Sequence, residues 1–183
     1  HAPEERERGV TIEASTAFFE AVGREINILD APGHRDFVPA MVGAAAQADA
    51  VLLVLNASPG ELEAGFAGQT LEHLRVARCL GSSALLVAVN QMDAVGYARQ
   101  GFDEVVAASR SVLVRAGYDP GTTRFVPVSA LHGAGLTDAS SPPGLGWYDG
   151  PPLLAVVGAP EPCPRLFTVV ARLCISAVNL GGS

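Results

Sequence analysis

The sequence predicts an α/β fold in which a mostly parallel sheet is covered by helices. Three continuously apolar runs, residues 50–55, 84–89 and 125–128, have the length and composition of buried strands. Two longer segments that favour helix, residues 69–80 and 101–116, separate these runs. Strands that are apolar on both faces and alternate with helices are typical of parallel sheets with helices on each side.

Composition supports a globular domain and excludes several classes of function. The chain has 183 residues, of which 49% are hydrophobic and 17% charged, as expected for one domain with a large core. No apolar run approaches the roughly 18 residues that would cross a membrane, so we expect no membrane partner. The net charge of −7 lacks the basic footprint of a DNA-binding protein, so we expect no DNA partner.

The two ends of the chain carry further elements. Residues 16–21 and 25–29 are short apolar runs on either side of Val22-Gly23, which predicts a β-hairpin. Residues 151–164 are rich in proline, and residues 172–176 begin another strand. We therefore expect one domain over residues 1–160, followed by a linker and another strand within residues 161–183. The odd number of cysteines, at no metal-ligand spacing, indicates reduced thiols and a cytoplasmic location.

Polar residues follow each predicted strand at the point where the strand ends. These are residues 30–34, 56–58, 90–93 and 129–130. Ligands of parallel sheets bind outside the carboxyl ends of the strands, so these four stretches are expected along one rim.

Two of these stretches have the chemistry to recognise a guanine base. The Asp93 carboxylate can accept two hydrogen bonds from N1 and the 2-amino group of guanine, a donor pair that adenine lacks. Asn90 would brace the same loop, and a backbone amide in Ser129-Ala130 could meet the guanine carbonyl oxygen. Taken singly, each stretch also fits an ordinary turn.

Other residues near the start of the chain have the chemistry of a phosphate and metal site. Asp30 could hold the water shell of Mg²⁺, and Gly33 would let its backbone amide approach a γ-phosphate. His34 could orient an attacking water, and the Thr11 hydroxyl could ligate Mg²⁺ directly. Alternatively, residues 30–34 form only a strand-to-helix turn, and Thr11 is an ordinary loop residue.

In this order, the stretches resemble the translational GTPases of the elongation factor 1-alpha and Tu class. The resemblance lies in Glu-Arg-Glu-Arg-Gly-Val-Thr-Ile at residues 5–12, Asp-Ala-Pro-Gly-His-Arg-Asp-Phe-Val at residues 30–38 and Asn-Gln-Met-Asp at residues 90–93. It extends from about Glu5 to Gly158 and includes Gly68-Gln69-Thr70. It implies a fold like that of the P-loop NTPases, with residues 1–160 as a translational-type GTP-binding domain and residues 161–183 leading into a β-barrel.

The resemblance also implies roles for individual residues. It implies that the ligands are GTP or GDP with Mg²⁺, that Thr11 and Asp30 hold the metal, and that His34 is the catalytic residue positioning the hydrolytic water. The residues that match those contacting the nucleotide are Asp30, Gly33, Asn90, Gln91, Asp93, Ser129, Ala130 and Leu131.

The function implied by the resemblance is GTP hydrolysis coupled to elongation, rescue or termination on the ribosome. The implied partners are the ribosome and either tRNA or a tRNA-mimicking factor, such as a Pelota-like protein or a release factor. Residues 37–39 and 57–61 are most similar to the ribosome-rescue GTPase that partners Pelota. Elongation factor 1-alpha and the eukaryotic release-factor GTPase are the next most similar.

The sequence departs from the family in two respects. It contains no lysine, so no Gly-x-x-x-x-Gly-Lys-[Ser/Thr] loop is present, and Gln91 stands where the family usually has lysine. We therefore expect a fragment that lacks the phosphate-binding loop and the first strand of the sheet and is inactive alone. The alternatives are a catalytically inactive remnant that acts as a binding module, or an unrelated α/β nucleotide hydrolase.

Overall fold

The computed structural model describes residues 15–21, 23–31, 38–58, 69–137, 144–159 and 171–177. Six strands and four helices lie in these ranges. In chain order they are β1 (Ser15–Ala21), β2 (Arg24–Ala31), α1 (Val38–Gln47), β3 (Ala50–Asn56), α2 (Gln69–Cys79), β4 (Ala84–Asn90), α3 (Arg99–Ala116), β5 (Arg124–Pro127), α4 (Leu153–Gly158) and β6 (Ala171–Ala177).

The six strands form one sheet in the order β1-β2-β6-β3-β4-β5. Only β1 and β2 pair antiparallel, whereas the other four pairs are parallel. Asn56 lies opposite Asn90, so β3 and β4 end at the same level of the sheet. The predicted α/β class with a mostly parallel sheet is confirmed.

Strand β3 shows why its sequence is apolar at nearly every position. Val51, Leu53 and Leu55 pack in a large core with helices α1, α2 and α3, whereas Leu52 lies in a second core with α4. Successive side chains of a strand point to opposite faces, so a sheet with helices on both sides needs apolar residues throughout. This burial on both faces explains why residues 50–55 form a continuous apolar run.

The predicted hairpin is confirmed. Strands β1 and β2 pair in the register that sets Ala21 opposite Arg24, with Gly23 in the turn. Gly23 has a φ of 71°, in the left-handed region that glycine adopts without steric penalty. The hairpin forms one edge of the sheet and carries Asp30 toward the carboxyl end of β2.

Strand β6 lies between β2 and β3 and pairs in parallel with both. Cys174, for example, lies opposite Leu29 on one side and Val51 on the other. Residues 171–177 therefore fill a central slot of the sheet, and the expectation that residues 161–183 lead into a second, β-barrel domain stays a prediction. The physical reason for this placement is backbone pairing, because without a strand in that slot β2 and β3 would each present unpaired N–H and C=O groups in the middle of the sheet.

None of the helices within the described ranges is long and apolar enough to cross a membrane.

Candidate functional site

The backbone ties together the three loops that follow β3, β4 and β5. The Ala57 amide donates to the Asn90 carbonyl at 2.8 Å, which joins the first loop to the second. The Met92 amide donates to the Val128 carbonyl at 3.2 Å, which joins the second loop to the third. Because backbone hydrogen bonds fix the relative positions of all three loops, the side chains that they carry are held on a rigid frame.

Asn90 bridges two of these loops through its side chain. Its Oδ1 atom accepts a hydrogen bond of 3.0 Å from the backbone amide of Ala130. This bond gives the amide oxygen the acceptor role, so the NH₂ end of the side chain is the donor that faces elsewhere. The prediction that Asn90 braces the rim matches this geometry.

Asp93 and Ser129 form the closest side-chain contact of the site. The Ser129 hydroxyl, on a fully buried residue, donates to Asp93 Oδ1 at 2.5 Å. This bond holds the pKa of the Asp93 carboxyl below its ordinary value of 3.8, against an opposing effect of desolvation. A hydrogen bond from the backbone of Asp93 and the nearby imidazole of His132 lower the pKa of this carboxyl further. The carboxylate is therefore ionised at neutral pH, as an acceptor of two base N–H groups must be.

His132 belongs to the same cluster, although the sequence reasoning missed it. Its Nε2 atom lies 4.0 Å from Asp93 Oδ2, and its backbone amide donates to Ser129 Oγ at 3.3 Å. The side chain of His132 is 57% exposed and that of Asp93 is 24% exposed. The available signal was an ionisable residue two positions after Ala130, in a turn already expected to reach the base.

Gln91 occupies an unusual backbone conformation in the middle of the second loop. Its φ is 60°, in the left-handed region that costs a non-glycine residue roughly 1 kcal/mol or more. Its Oε1 atom accepts a hydrogen bond of 2.9 Å from the Ser58 hydroxyl, so the side chain is anchored to the first loop. The loop closes with a bond of 2.7 Å from the Tyr97 amide to the Met92 carbonyl. The half-buried Gln91 stem thus stays at the rim.

The third loop is a tight turn whose tip faces solvent. The Ser129 amide donates to the Ala134 carbonyl at 3.0 Å, and the two residues form an isolated antiparallel bridge. Leu131 lies at the tip with 80% of its surface exposed. Ala130 and Leu131 are therefore accessible from outside, as contacts to a base would require.

Asp30 lies on the same rim, at the carboxyl ends of the strands, but apart from this cluster. It is half-buried near the end of β2, opposite Ile175 of β6. Three strand spacings separate β2 from β4, which amounts to about 14 Å. A ligand that reaches both Asp30 and Asp93 would have to be extended along the rim.

The other expected residues of the phosphate and metal site, Thr11, Gly33 and His34, lie outside the described residues. Within the ranges that are described, no group of three or more His, Cys, Asp or Glu side chains could hold a metal ion. The structure thus brings together the six predicted base-contacting residues, and of the phosphate and metal site it places Asp30 alone.

Comparison with known proteins shows the family of this chain. Residues 1–174 match the family model described as the elongation factor Tu GTP binding domain. The chain is 49% identical over 164 residues to elongation factor 1-alpha of Pyrobaculum calidifontis, covering 88% of this chain and 36% of that protein. It is 47% identical over 178 residues to elongation factor 1-alpha of Pyrobaculum arsenaticum, covering 96% of this chain and 39% of that protein.

Solved structures give the same picture. The chain superposes on Sup35 complexed with GMPPNP with a TM-score of 0.65 and 34% identity, covering 79% of this chain and 34% of that one. For Sup35 complexed with GDP, the TM-score is 0.63 and the identity 36%, with coverage of 75% and 33%.

The chain therefore has the G-domain fold of the translational GTPases, in which helices flank a mainly parallel sheet. It belongs to the family of elongation factor Tu GTP-binding domains, in the class of elongation factor 1-alpha and Tu. It spans 36 to 39% of the length of the two curated relatives described above.

Proposed function

We propose that this chain binds guanine nucleotides, GTP or GDP, at the rim formed by the loops after β3, β4 and β5. The observation that carries the proposal is the pairing of an ionised Asp93 with Ser129 beside the Asn90–Ala130 bond. The loops after β4 and β5 thereby present a carboxylate acceptor, a side-chain amide and exposed backbone, all held by hydrogen bonds between the two loops. This donor and acceptor pattern is complementary to the edge of guanine and leaves a charge unpaired against adenine.

The six residues of the rim divide the base between them in this proposal. Asp93 accepts the N1 and 2-amino donors, and Asn90 braces the loops and reaches another edge of the base. The stem of Gln91 covers the apolar face of the ring. The backbone of the third loop meets the guanine carbonyl oxygen, through Ser129, Ala130 and Leu131.

The longer range of the proposal concerns hydrolysis. Asp30 and Thr11 would hold Mg²⁺, which would supply positive charge beside the phosphates. Gly33 would bring its backbone amide to the γ-phosphate, and His34 would position the attacking water. These assignments rest on the resemblance in sequence around residues 5–12 and 30–38.

The whole protein is proposed to couple this hydrolysis to a translation step on the ribosome, in the cytoplasm. The partner is proposed to be tRNA or a tRNA-mimicking factor. Among the possible translation steps, the sequence similarity of residues 37–39 and 57–61 favours ribosome rescue, by a GTPase that partners Pelota. The relatives named elongation factor 1-alpha and the structures of Sup35 support the class. Elongation and termination stay the competing steps.

The test of base reading is the substitution Asp93→Asn. Replacing one carboxylate oxygen by NH₂ turns one hydrogen-bond acceptor into a donor. The side chain then no longer complements guanine and complements xanthine instead. We expect the wild-type chain to prefer GDP over XDP and ADP, and the variant to prefer XDP over GDP by about a hundredfold or more. Competition against a fluorescent nucleotide measures the three affinities.

The matched control is Asp119→Asn, the same chemical change at an exposed residue outside this rim. It should leave the order of the three affinities unchanged. If Asp93→Asn also leaves that order unchanged, Asp93 does not read the base. A wild-type chain that binds no nucleotide would contradict the proposal that this rim by itself binds guanine nucleotides.

A further inference from the structure

The carboxylate of Asp93 has two oxygens, and the structure surrounds them differently. Oδ1 is committed to Ser129 by the bond of 2.5 Å. Oδ2 instead faces His132, whose imidazole Nε2 atom lies 4.0 Å from it. Because Oδ1 already accepts the Ser129 hydroxyl and the side chain of Asp93 is 24% exposed, we take Oδ2 as the oxygen left for an incoming base.

The position of His132 follows from the backbone of the third loop, because the His132 amide donates to the same Ser129 hydroxyl that holds Oδ1. One serine therefore fixes both the carboxylate and the residue that faces it. Among the described residues, Asp93 is the ionisable side chain that the structure sets against this imidazole. The position of His132 beside Asp93 thus follows from the geometry of the turn.

We propose that His132 is a specificity-tuning residue that occupies the base-reading carboxylate in the empty site and yields it to guanine. This inference rests on the proposed function of the rim. A protonated imidazole pairs with Oδ2 and competes with the base N–H groups for the same charge, whereas a neutral imidazole gives way. Guanine binding is therefore weaker in mildly acidic solution, and His132 sets how much weaker.

The expected size follows from the exposure of the pair. Charge pairs that are open to solvent change an equilibrium by a factor of about two to five. We expect the wild-type chain to bind GDP about threefold more weakly at about pH 5.5 than at about pH 8. His132→Ala should remove most of this difference and raise the affinity for GDP at the lower pH.

Two further variants separate charge from shape. His132→Gln keeps a polar side chain that takes up no proton, so its affinity for GDP should be as insensitive to pH as that of His132→Ala. In Asp93→Asn, which carries no charge for the imidazole to pair with, adding His132→Ala should leave the affinity for XDP unchanged at both values of pH. A residue with a purely structural role would lower affinity in every background and would not remove the pH dependence.

The measurement is fluorescent-nucleotide titration of the four variants and the wild-type chain, with a circular dichroism melt to verify folding. The inference is overturned if wild type and His132→Gln show the same pH dependence, or if both His132 variants bind GDP more weakly at both values of pH. The failure of the proposed function looks different, since wild type would then bind no guanine nucleotide at either pH, and the inference would fall with it.

Discussion

The two ends of strands β4 and β5 use polar side chains in opposite ways. At the amino end, the Ser82 hydroxyl donates to the Ala48 carbonyl at 3.1 Å, and the Tyr118 hydroxyl donates to the Ser82 carbonyl at 3.1 Å. Both residues are buried. At the carboxyl end, the Ser129 hydroxyl donates to the Asp93 carboxylate, and the Ser58 hydroxyl donates to the side-chain oxygen Oε1 of Gln91.

This difference separates a structural end from a binding end. A buried hydroxyl that satisfies a backbone carbonyl cannot be exchanged for a ligand without exposing that carbonyl. A carboxylate accepts up to about four hydrogen bonds, so Asp93 can keep Ser129 and still bind a base. The polar groups at the amino end thus hold parts of the fold together, whereas those at the carboxyl end can still accept hydrogen bonds from a ligand.

The end of helix α3 reinforces the structural end. Gly117 caps the helix with a φ of 86°, and the Tyr118 amide donates to the Leu113 carbonyl at 3.0 Å. Arg78 of helix α2 donates to the Gly117 carbonyl at 3.1 Å, and its guanidinium lies 5.7 Å from the centre of the Tyr118 ring. The cap positions Tyr118, and Tyr118 in turn ties α3 to the start of β4.

The largest effect is expected at the structural end, with Tyr118→Ala. Removal of a buried aromatic ring and of its bond to Ser82 should lower the free energy of unfolding by about 3 to 5 kcal/mol. That corresponds to a fall in Tm of roughly 2 to 4 °C per kcal/mol for a chain of this size. Tyr118→Phe, the matched control, removes only the hydroxyl and should cost about 1 kcal/mol. Thermal melts compare the two.

The same pair of variants tests whether the two ends are independent. At a temperature where both variants remain folded, their affinity for GDP should equal that of wild type. A change in affinity with either variant would contradict the division into a structural end and a binding end.

A middle-sized effect is expected from two glycines at the binding end. Gly133 and Gly135 have nearly equal φ values of 72° and 71°, so alanine at either position is strained by about 1 to 2 kcal/mol. A methyl group at Gly135 would also overlap the carbonyl oxygen of Pro127, whereas one at Gly133 would meet nothing within 4 Å. Gly135→Ala should therefore be the more destabilising in denaturant titrations, by about 1 kcal/mol or more beyond Gly133→Ala.

The Gly135 variant should also weaken binding of GDP, because the overlap displaces the turn that holds Ser129 against Ala134. Equal losses of stability in the two variants would show that the turn shifts at no cost. In that case the rigid frame described for the third loop would be wrong.

The smallest effect concerns pH and the bond between Ser129 and Asp93. The pKa of Asp93 is lowered on folding, so the bond stabilises the folded chain above the ordinary value of 3.8. This contribution is lost as the pH falls through the lowered pKa of the folded state. Ser129→Ala should therefore be more destabilised relative to wild type at about pH 7 than at about pH 2, as measured by denaturant titration.

Ser111→Ala is the matched control, because this exposed serine donates to the Ala108 carbonyl, which is an uncharged acceptor. Its effect on stability should be the same at both values of pH. If the difference in free energy of unfolding between Ser129→Ala and wild type is the same in acid as at neutral pH, the bond does not favour the ionised form of Asp93.

Much of the fold was predictable because parallel strands leave a clear signal in sequence. The predicted strand at residues 84–89 corresponds to Ala84–Asn90, and the predicted helix at residues 101–116 corresponds to Arg99–Ala116. Burial on both faces demands an apolar residue at almost every position, so these elements can be recognised singly. The rim followed from the rule that such strands place their carboxyl ends together.

The parts that were not predicted depend on contacts between distant residues. His132 faces Asp93 only because the loops after β4 and β5 meet, and nothing next to His132 in the sequence shows this. The left-handed Gln91 is stabilised by Ser58, which lies 33 positions earlier. Similarly, the slot between β2 and β3 accepts residues 171–177 because of unpaired backbone, which any extended segment satisfies.

The sequence by itself determined the α/β class, the family resemblance and the identity of the residues on the rim, because apolar periodicity and short motifs are local properties of the chain. Only the tertiary structure decided which hydrogen bond each rim residue makes, which oxygen of Asp93 remains open, and which segment stands at the centre of the sheet. The physical reason is that hydrogen bonds and backbone pairing depend on distances of about 3 Å between groups that are far apart in sequence. Such distances exist only after the strands have found their register.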